Sequence, residues 1–262
     1  MLKRLFFLCL VSTLQAVPIQ HHPLNQDAVQ KLADLLGIPE GSDIVQETQS
    51  RWLRHPHQER WEMTELQEEQ KALVLTWAQQ EGFYDAWTPK ETHYDQAIIL
   101  GATTYRMQSR LDELKRIWQS GVRFDEILFL TGDRPLDPTE TFTDSCQTET
   151  EAAYLIFQIA DLPKEMRQLP FRIISVPMSN IRRPNTKDTI VAYAEEMDSP
   201  KKALFISDAP FCGYQFAIIN SYLPDDFLFD VAGKKADPSV HPAAAAITLD
   251  TIARWLYQEN QL

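Results

Sequence analysis

From Tyr94 onward the chain alternates between short apolar runs and stretches with helical periodicity. The run 97–100 has no polar alternation, as expected for a strand covered on both faces. The runs 127–130, 172–176, 203–206 and 227–231 predict further strands. Between them lie helical faces. Met107, Leu111, Leu114 and Trp118 share one, closed by Gly121; Ala152, Leu155, Ile156 and Ile159 share another, opening near Thr148. Residues 189–197, a segment through Ala217 and Ile218, and a C-terminal stretch with Ile252 and Trp255 complete the set. Parallel strands need such crossover helices. The predicted fold class is therefore α/β: a Rossmann-like doubly wound sheet, mainly parallel, of about five strands.

Residues 17–90 read differently. After a polar stretch with His21, His22 and Pro23, the residues Val29, Leu32, Ala33 and Leu36 recur at helical spacing and stop at Gly37 and Pro39. A second helix is predicted from Asp43 through Trp52. A third is expected to start with a capping box, Thr64 with Gln67, and to carry Leu66, Leu73, Val74 and Trp77 as far as Gly82. The aromatic content of this α-helical prefix implies that it packs on the main domain, residues 91–262, and offers a surface for a protein partner.

The first sixteen residues change the setting. Lys3 and Arg4 precede an apolar run, 5–11, followed by Ser12, Thr13 and Ala16, the pattern of a secretory leader. The run is too short to span a bilayer, which takes ~20 apolar residues, so no membrane span is expected after cleavage at 1–16. The expected location is outside the cytoplasm, periplasmic or secreted, or envelope-associated if the leader is retained. Loss of Lys3 and Arg4 takes the formal net charge from −12 to −14. So acidic a chain argues against nucleic acid as a partner. Cys146 and Cys212 fall near strand ends, and in an exported protein they either pair or sit apart as small buried thiols.

Candidate chemistry lies after each strand, where ligands bind in open parallel sheets. The first loop offers Gly101, to let backbone approach a ligand, Thr103 and Thr104 as donors, then Arg106 and Arg110. The second holds Thr131, Gly132, Asp133 and Arg134, either an anion grip with a proton acceptor or a turn stiffened by an Asp–Arg pair. Glu149 and Glu151 open the next helix, where carboxylates also suit the helix dipole. The third loop is densest: Arg182, Arg183, Pro184, Asn185, Thr186, Lys187 and Asp188 suit a phosphate or carboxylate, or a solvated helix cap. Ser207 and Asp208 end the fourth strand, before Phe211 and Tyr214.

The chain has no phosphate loop, no G-x-G-x-x-G, no nucleophile elbow and no H-E-x-x-H. No cysteine has metal-ligand spacing. His55 and His57 lie in the prefix, His93 at the amino end of the first strand, and His241 in a late loop. A histidine-based nucleophile is not expected.

Taken in order, the strand ending Tyr94-Asp95-Gln96-Ala97-Ile98-Ile99-Leu100-Gly101, then Arg110, Thr131-Gly132-Asp133, Glu151-Ala152 and Asn185-Thr186 with Asp188, resemble the YdcF-like (SanA/ElyC-type) family of bacterial envelope proteins. Two departures stand out. Asp133 replaces the second glycine of the family's Ser-Gly-Gly, and the histidine and arginine that follow its fourth strand give way to residues around Phe211 and Tyr214. The resemblance implies a Rossmann-like fold and an envelope-related role; at least one member binds S-adenosylmethionine, and the family has no firmly assigned reaction.

The combined expectation is an exported protein that binds a small anionic metabolite or envelope precursor at the strand ends. Arg110, Arg182 and Arg183 supply charge, Thr103, Thr104 and Asn185 hydrogen bonds, and Asp133 or Glu151 a general base. Gly101, Thr131, Gly132, Arg134, Thr186, Asp188 and Ser207 complete the set. Two other classes stay open: a non-catalytic binding or scaffolding protein with a degenerate site, and a nucleotide- or S-adenosylmethionine-binding protein if the chain is not exported. No particular cofactor is indicated.

Overall fold

The computed structural model describes residues 23–55, 58–142, 144–179 and 182–261. The leader-like segment 1–16, His21, His22 and His57 lie outside the described residues. The prefix forms α1 (Gln26–Leu35), α2 (Ile44–Arg51) and α3 (Glu68–Gln80). The rest alternates: β1 (His93–Leu100), α4 (Thr104–Gln119), β2 (Arg123–Asp133), α5 (Glu149–Ile159), a turn of helix α6 (Lys164–Arg167), β3 (Phe171–Pro177), α7 (Thr186–Glu196), β4 (Lys202–Asp208), α8 (Cys212–Tyr222), β5 (Leu228–Lys234) and α9 (Ala244–Glu259).

All strand pairings are parallel, in the order β3-β2-β1-β4-β5. The fold is Rossmann-like α/β, and its order reverses at the β1–β4 junction, where a crevice opens at the strands' carboxyl ends. Alternate residues face opposite layers. Ile99, Phe129 and Ile206 pack with Met107, Leu111 and Ile156 of α4 and α5, whereas Ile98, Leu128 and Phe205 pack with Ile190, Tyr193 and Ile218 of α7 and α8. Each such side chain stabilises the fold by ~1.5–3 kcal/mol when fully buried. Because both layers are apolar, the strands read as continuous apolar runs rather than alternating ones. They extend beyond those runs because the backbone ladder continues through polar residues, as at Thr131, Gly132 and Asp133 beside β3.

The prefix packs chiefly on α9, and its end also reaches the sheet directly, where Trp87 bridges to Gly233 of β5. Val29, Leu32, Trp52 and Val74 form one core with Leu249, Ile252, Trp255 and Leu256. Phe83 bridges the two, 5.3 Å from Trp77 and 5.6 Å from Trp255 between ring centres. On its other side Trp255 lies against Gly213 of α8, where any Cβ would collide with the indole. The capping box at Thr64 does not form. Helix α3 begins at Glu68, after Gln67 with no side-chain cap, because Leu66 turns into the prefix core and Glu65 is paired with Lys71. Cys146 and Cys212 are buried and free, which selects the separate-thiol reading. No described helix is long and apolar enough to cross a membrane.

Candidate ligand-binding site

A cavity of about 940 Å³ opens at the carboxyl edge of the sheet, bounded below by the ends of β1, β2, β4 and β5 at Gly101, Gly132, Asp208 and Lys234. Its sides come from the start of α4, the loop before α7, residues 54, 55 and 58–60 of the prefix, and α9. The prefix is thus part of the cleft.

The floor is built from closed ion pairs. Arg134 is buried between two carboxylates: its Nη2 donates to Glu140 at 3.0 Å and its Nε contacts Glu149 at 2.7 Å. Glu149 is held at the end of β1 because Gly101 has no side chain; a Cβ there would collide with its carboxylate and with the Leu130 carbonyl. Burial pushes the Glu149 carboxyl up to about 7 against the opposing pull of Arg134. Arg110 is equally enclosed. Its Nε donates to Asp208 at 2.7 Å and its Nη1 to the Leu100 and Gly101 carbonyls at 2.6 and 3.1 Å. Burial alone would raise the Asp208 carboxyl, but Arg110 and Arg106 overcome it and hold the group below the ordinary carboxylate range.

The wall opposite is different. Asp250 of α9 has a fully buried side chain and takes Arg254 through two contacts, at 2.9 and 3.0 Å. The same carboxylate accepts from the Arg54 backbone N–H at 3.2 Å and lies 3.5 Å from Arg60 Nε. Arg60 and Arg106 both set their guanidinium groups over the ring of Phe211, at 4.4 and 4.6 Å. Arg183 reaches across to Glu59, which also faces Arg54 at 3.6 Å. Burial first, and charge crowding after it, act on these groups. Burial and the neighbouring arginines outweigh Asp250 and push Arg60 down to about 10; burial, with Arg254, lowers Arg54; burial, with Arg54, lowers Arg183.

Of the residues singled out from sequence, Gly101, Thr103, Arg110, Gly132, Arg134, Arg182, Arg183, Asn185 and Thr186 line the cleft. The others do not. Thr104 is buried on Glu140 and Thr141, Thr131 shares its hydroxyl with Thr150 at 3.0 Å, and Ser207 is bonded to Gln215. Asp188 caps α7, accepting from the Asn185 N–H at 2.8 Å, and pairs with Arg182. Asp133 ends β2 beside Pro177, away from the cleft lining. Glu151 accepts from the Gln147 N–H at 2.6 Å on the far side of α5. Two residues along a helix turn a side chain by roughly 200°, so Glu149 rather than Glu151 faces the cavity. The two glycines also serve otherwise than expected: the space a Cβ would need is filled by Glu149 at Gly101 and by Pro184 at Gly132.

Sequence reasoning passed over Arg54, Arg60, Arg254 and Asp250. One signal was there to use. Asp250 sits among Ile247, Leu249, Ile252 and Ala253 on an apolar helix, and a carboxylate at a core position must be paired. No family model, curated protein or solved structure matches the chain.

Proposed function

We propose that the protein binds a small organic anion in the cleft at the carboxyl edge of its sheet. The observation that carries this reading is a concentration of arginines around one cavity, including Arg54, Arg60, Arg106, Arg183 and Arg254, in a chain of net charge −12. Positive charge gathered inside an otherwise acidic molecule attracts anions locally and does little for stability. The envelope setting rests on the leader-like N-terminus and on the resemblance to the YdcF-like family.

Thermal melting of the purified chain against inorganic phosphate, citrate, phenyl phosphate, adenosine monophosphate and S-adenosylmethionine, at matched ionic strength, tests the reading. A ligand present at a hundred times its Kd stabilises by about 2.7 kcal/mol, or roughly 5–10 °C for a chain of this size. At least one anion should produce a rise of that order. Flat melting curves across the whole panel would remove the proposal.

A catalytic reading has one observation in its favour. Glu149 faces the cavity from the floor with its carboxyl pushed up to about 7, where a general acid or base works best at neutral pH. Under that reading Glu149→Gln retains ligand binding and loses turnover. Under the binding-only reading, native protein and variant are alike with every ligand.

A further inference from the structure

Resting on the anion-binding reading, we propose that the charged subsite of the cleft takes a phosphate monoester dianion, gripped by Arg60 and Arg106 at Phe211 with Arg54 beside them, so that the helical prefix supplies half of the grip.

The argument begins with charge balance. Among the described residues, Arg54, Arg60, Arg106, Arg110, Arg183 and Arg254 contact three carboxylates, Glu59, Asp208 and Asp250. Each carboxylate therefore serves two guanidinium groups, and the wall carries more positive charge than its acids neutralise. Arg60 is the most exposed to this shortage. Its Nε is buried and has no hydrogen-bond partner, because the nearest acid, Asp250 at 3.5 Å, is already held by both arms of Arg254. A buried donor left in that state costs free energy unless a ligand completes it.

Phe211 explains how two like charges stay close together. A guanidinium stacked on an aromatic face is held in place by the ring quadrupole without being neutralised. Arg60 and Arg106 both use this one ring, at 4.4 and 4.6 Å, so both are positioned and neither is discharged by it. Arg106 has half of Asp208, shared with Arg110. Arg60, from the prefix, and Arg106, from α4, thus meet at one ring from unrelated parts of the chain.

The ligand's chemistry follows from the donors. Guanidinium forks match the oxygens of phosphate and carboxylate groups, and several forks around one point suit a group with three free oxygens. A carboxylate brings one charge and two oxygens. A phosphodiester brings one charge and two free oxygens. A phosphomonoester carries up to two charges with three acceptor oxygens near neutral pH, and it answers the surplus better than either. The lining also holds Pro210, Val240, Ala244 and Ile247, apolar residues that suit an ester whose alcohol has an apolar body. The floor is better satisfied, since Arg134 has two carboxylates, Glu140 and Glu149, and Arg110 is completed by its share of Asp208 and by the Leu100 and Gly101 carbonyls.

The test is isothermal titration of the full chain at pH 8 with phenyl phosphate, methyl phenyl phosphate and benzoate, which share one ring and differ in charge and oxygen count. Phenyl phosphate should bind at least tenfold more tightly than either of the others. Arg60→Met should cut that affinity tenfold or more and bring monoester and diester together, and Arg60→Lys should restore part of the difference. Equal binding of monoester and diester to the native chain, or an unchanged ratio in Arg60→Met, overturns the dianion proposal and leaves the anion-binding reading standing. Failure of all three anions to bind overturns the dianion proposal, and the anion-binding reading falls with it only if the wider melting panel is flat as well. Should Arg60→Met fail to fold, the ratio in the native chain and in Arg60→Lys decides alone.

Discussion

The floor and the wall of the cleft are both rich in arginine, yet they are built on opposite electrostatic terms. On the floor, Arg134 has Glu140 and Glu149 to itself, and Arg110 is locked onto Asp208 and two backbone carbonyls. On the wall, one buried carboxylate, Asp250, serves the guanidinium groups of both Arg60 and Arg254 and also accepts from the Arg54 backbone N–H. Paired buried charges are costly to break and add little net stability. Crowded like charges are costly to keep, and a protein retains them where a ligand of opposite sign relieves them. Positive residues at a strand edge are therefore not equivalent: on the proposed reading the floor is scaffold and the wall takes the anion.

The largest effect should come from breaking the scaffold. Asp208→Ala leaves Arg110 buried without its partner and should cost about 3–5 kcal/mol in urea denaturation. A smaller loss, about 1–3 kcal/mol, is expected from Gly213→Ala, since the new methyl collides with Trp255 and pushes α9 off α8. That variant should also weaken anion binding, because α9 carries Asp250 and Arg254; near-ultraviolet circular dichroism of the tryptophans reports the shift directly.

Arg60→Met sharpens the contrast from the other side. Removing a crowded wall charge should leave stability within about 1 kcal/mol of the native value, or raise it, while binding falls. If it destabilised the fold as much as Asp208→Ala does, floor and wall would be the same kind of structure after all. Arg182→Ala should have the smallest effect, below about 1 kcal/mol, because its pair with Asp188 is exposed and Asp188 still caps α7.

The floor also has a pH signature. Glu149 moves from its ordinary 4.5 to about 7 in the fold, chiefly through burial. A carboxyl raised in this way gives stability that is complete below its unfolded value and is lost as pH climbs through the folded one. The native chain should lose stability relative to Glu149→Gln between about pH 4.5 and 7, with no further divergence above. Denaturant midpoints for both proteins at pH 5, 6, 7 and 8 check the sign; a gap that moves the other way contradicts the assignment.

The sheet was legible in the sequence because burial on both faces makes each strand a continuous apolar run, and the helices between them kept their period. The strand-end half of the cleft was legible for the same reason: Gly101, Arg110, Gly132 and Arg183 follow strands whose ends could be located. Helix phase was the weak point there, since choosing between Glu149 and Glu151 requires knowing the starting angle of α5 and not only its presence. The wall was not legible. Arg54 and Arg60 are separated from Arg254 by most of the chain's length, and only the docking of the prefix on α9 brings them together. What points there in sequence is Asp250, a charge on an apolar helix.

The central claim, that the wall and not the floor receives the ligand's charge, is tested most directly by locating tungstate, a tetrahedral dianion, by anomalous diffraction from crystals soaked with it. The predicted position is within hydrogen-bond distance of Arg60 and Arg106, beside Phe211. Tungstate lodged instead between Gly101 and Gly132, or absent from the cleft while bound elsewhere, would contradict the account.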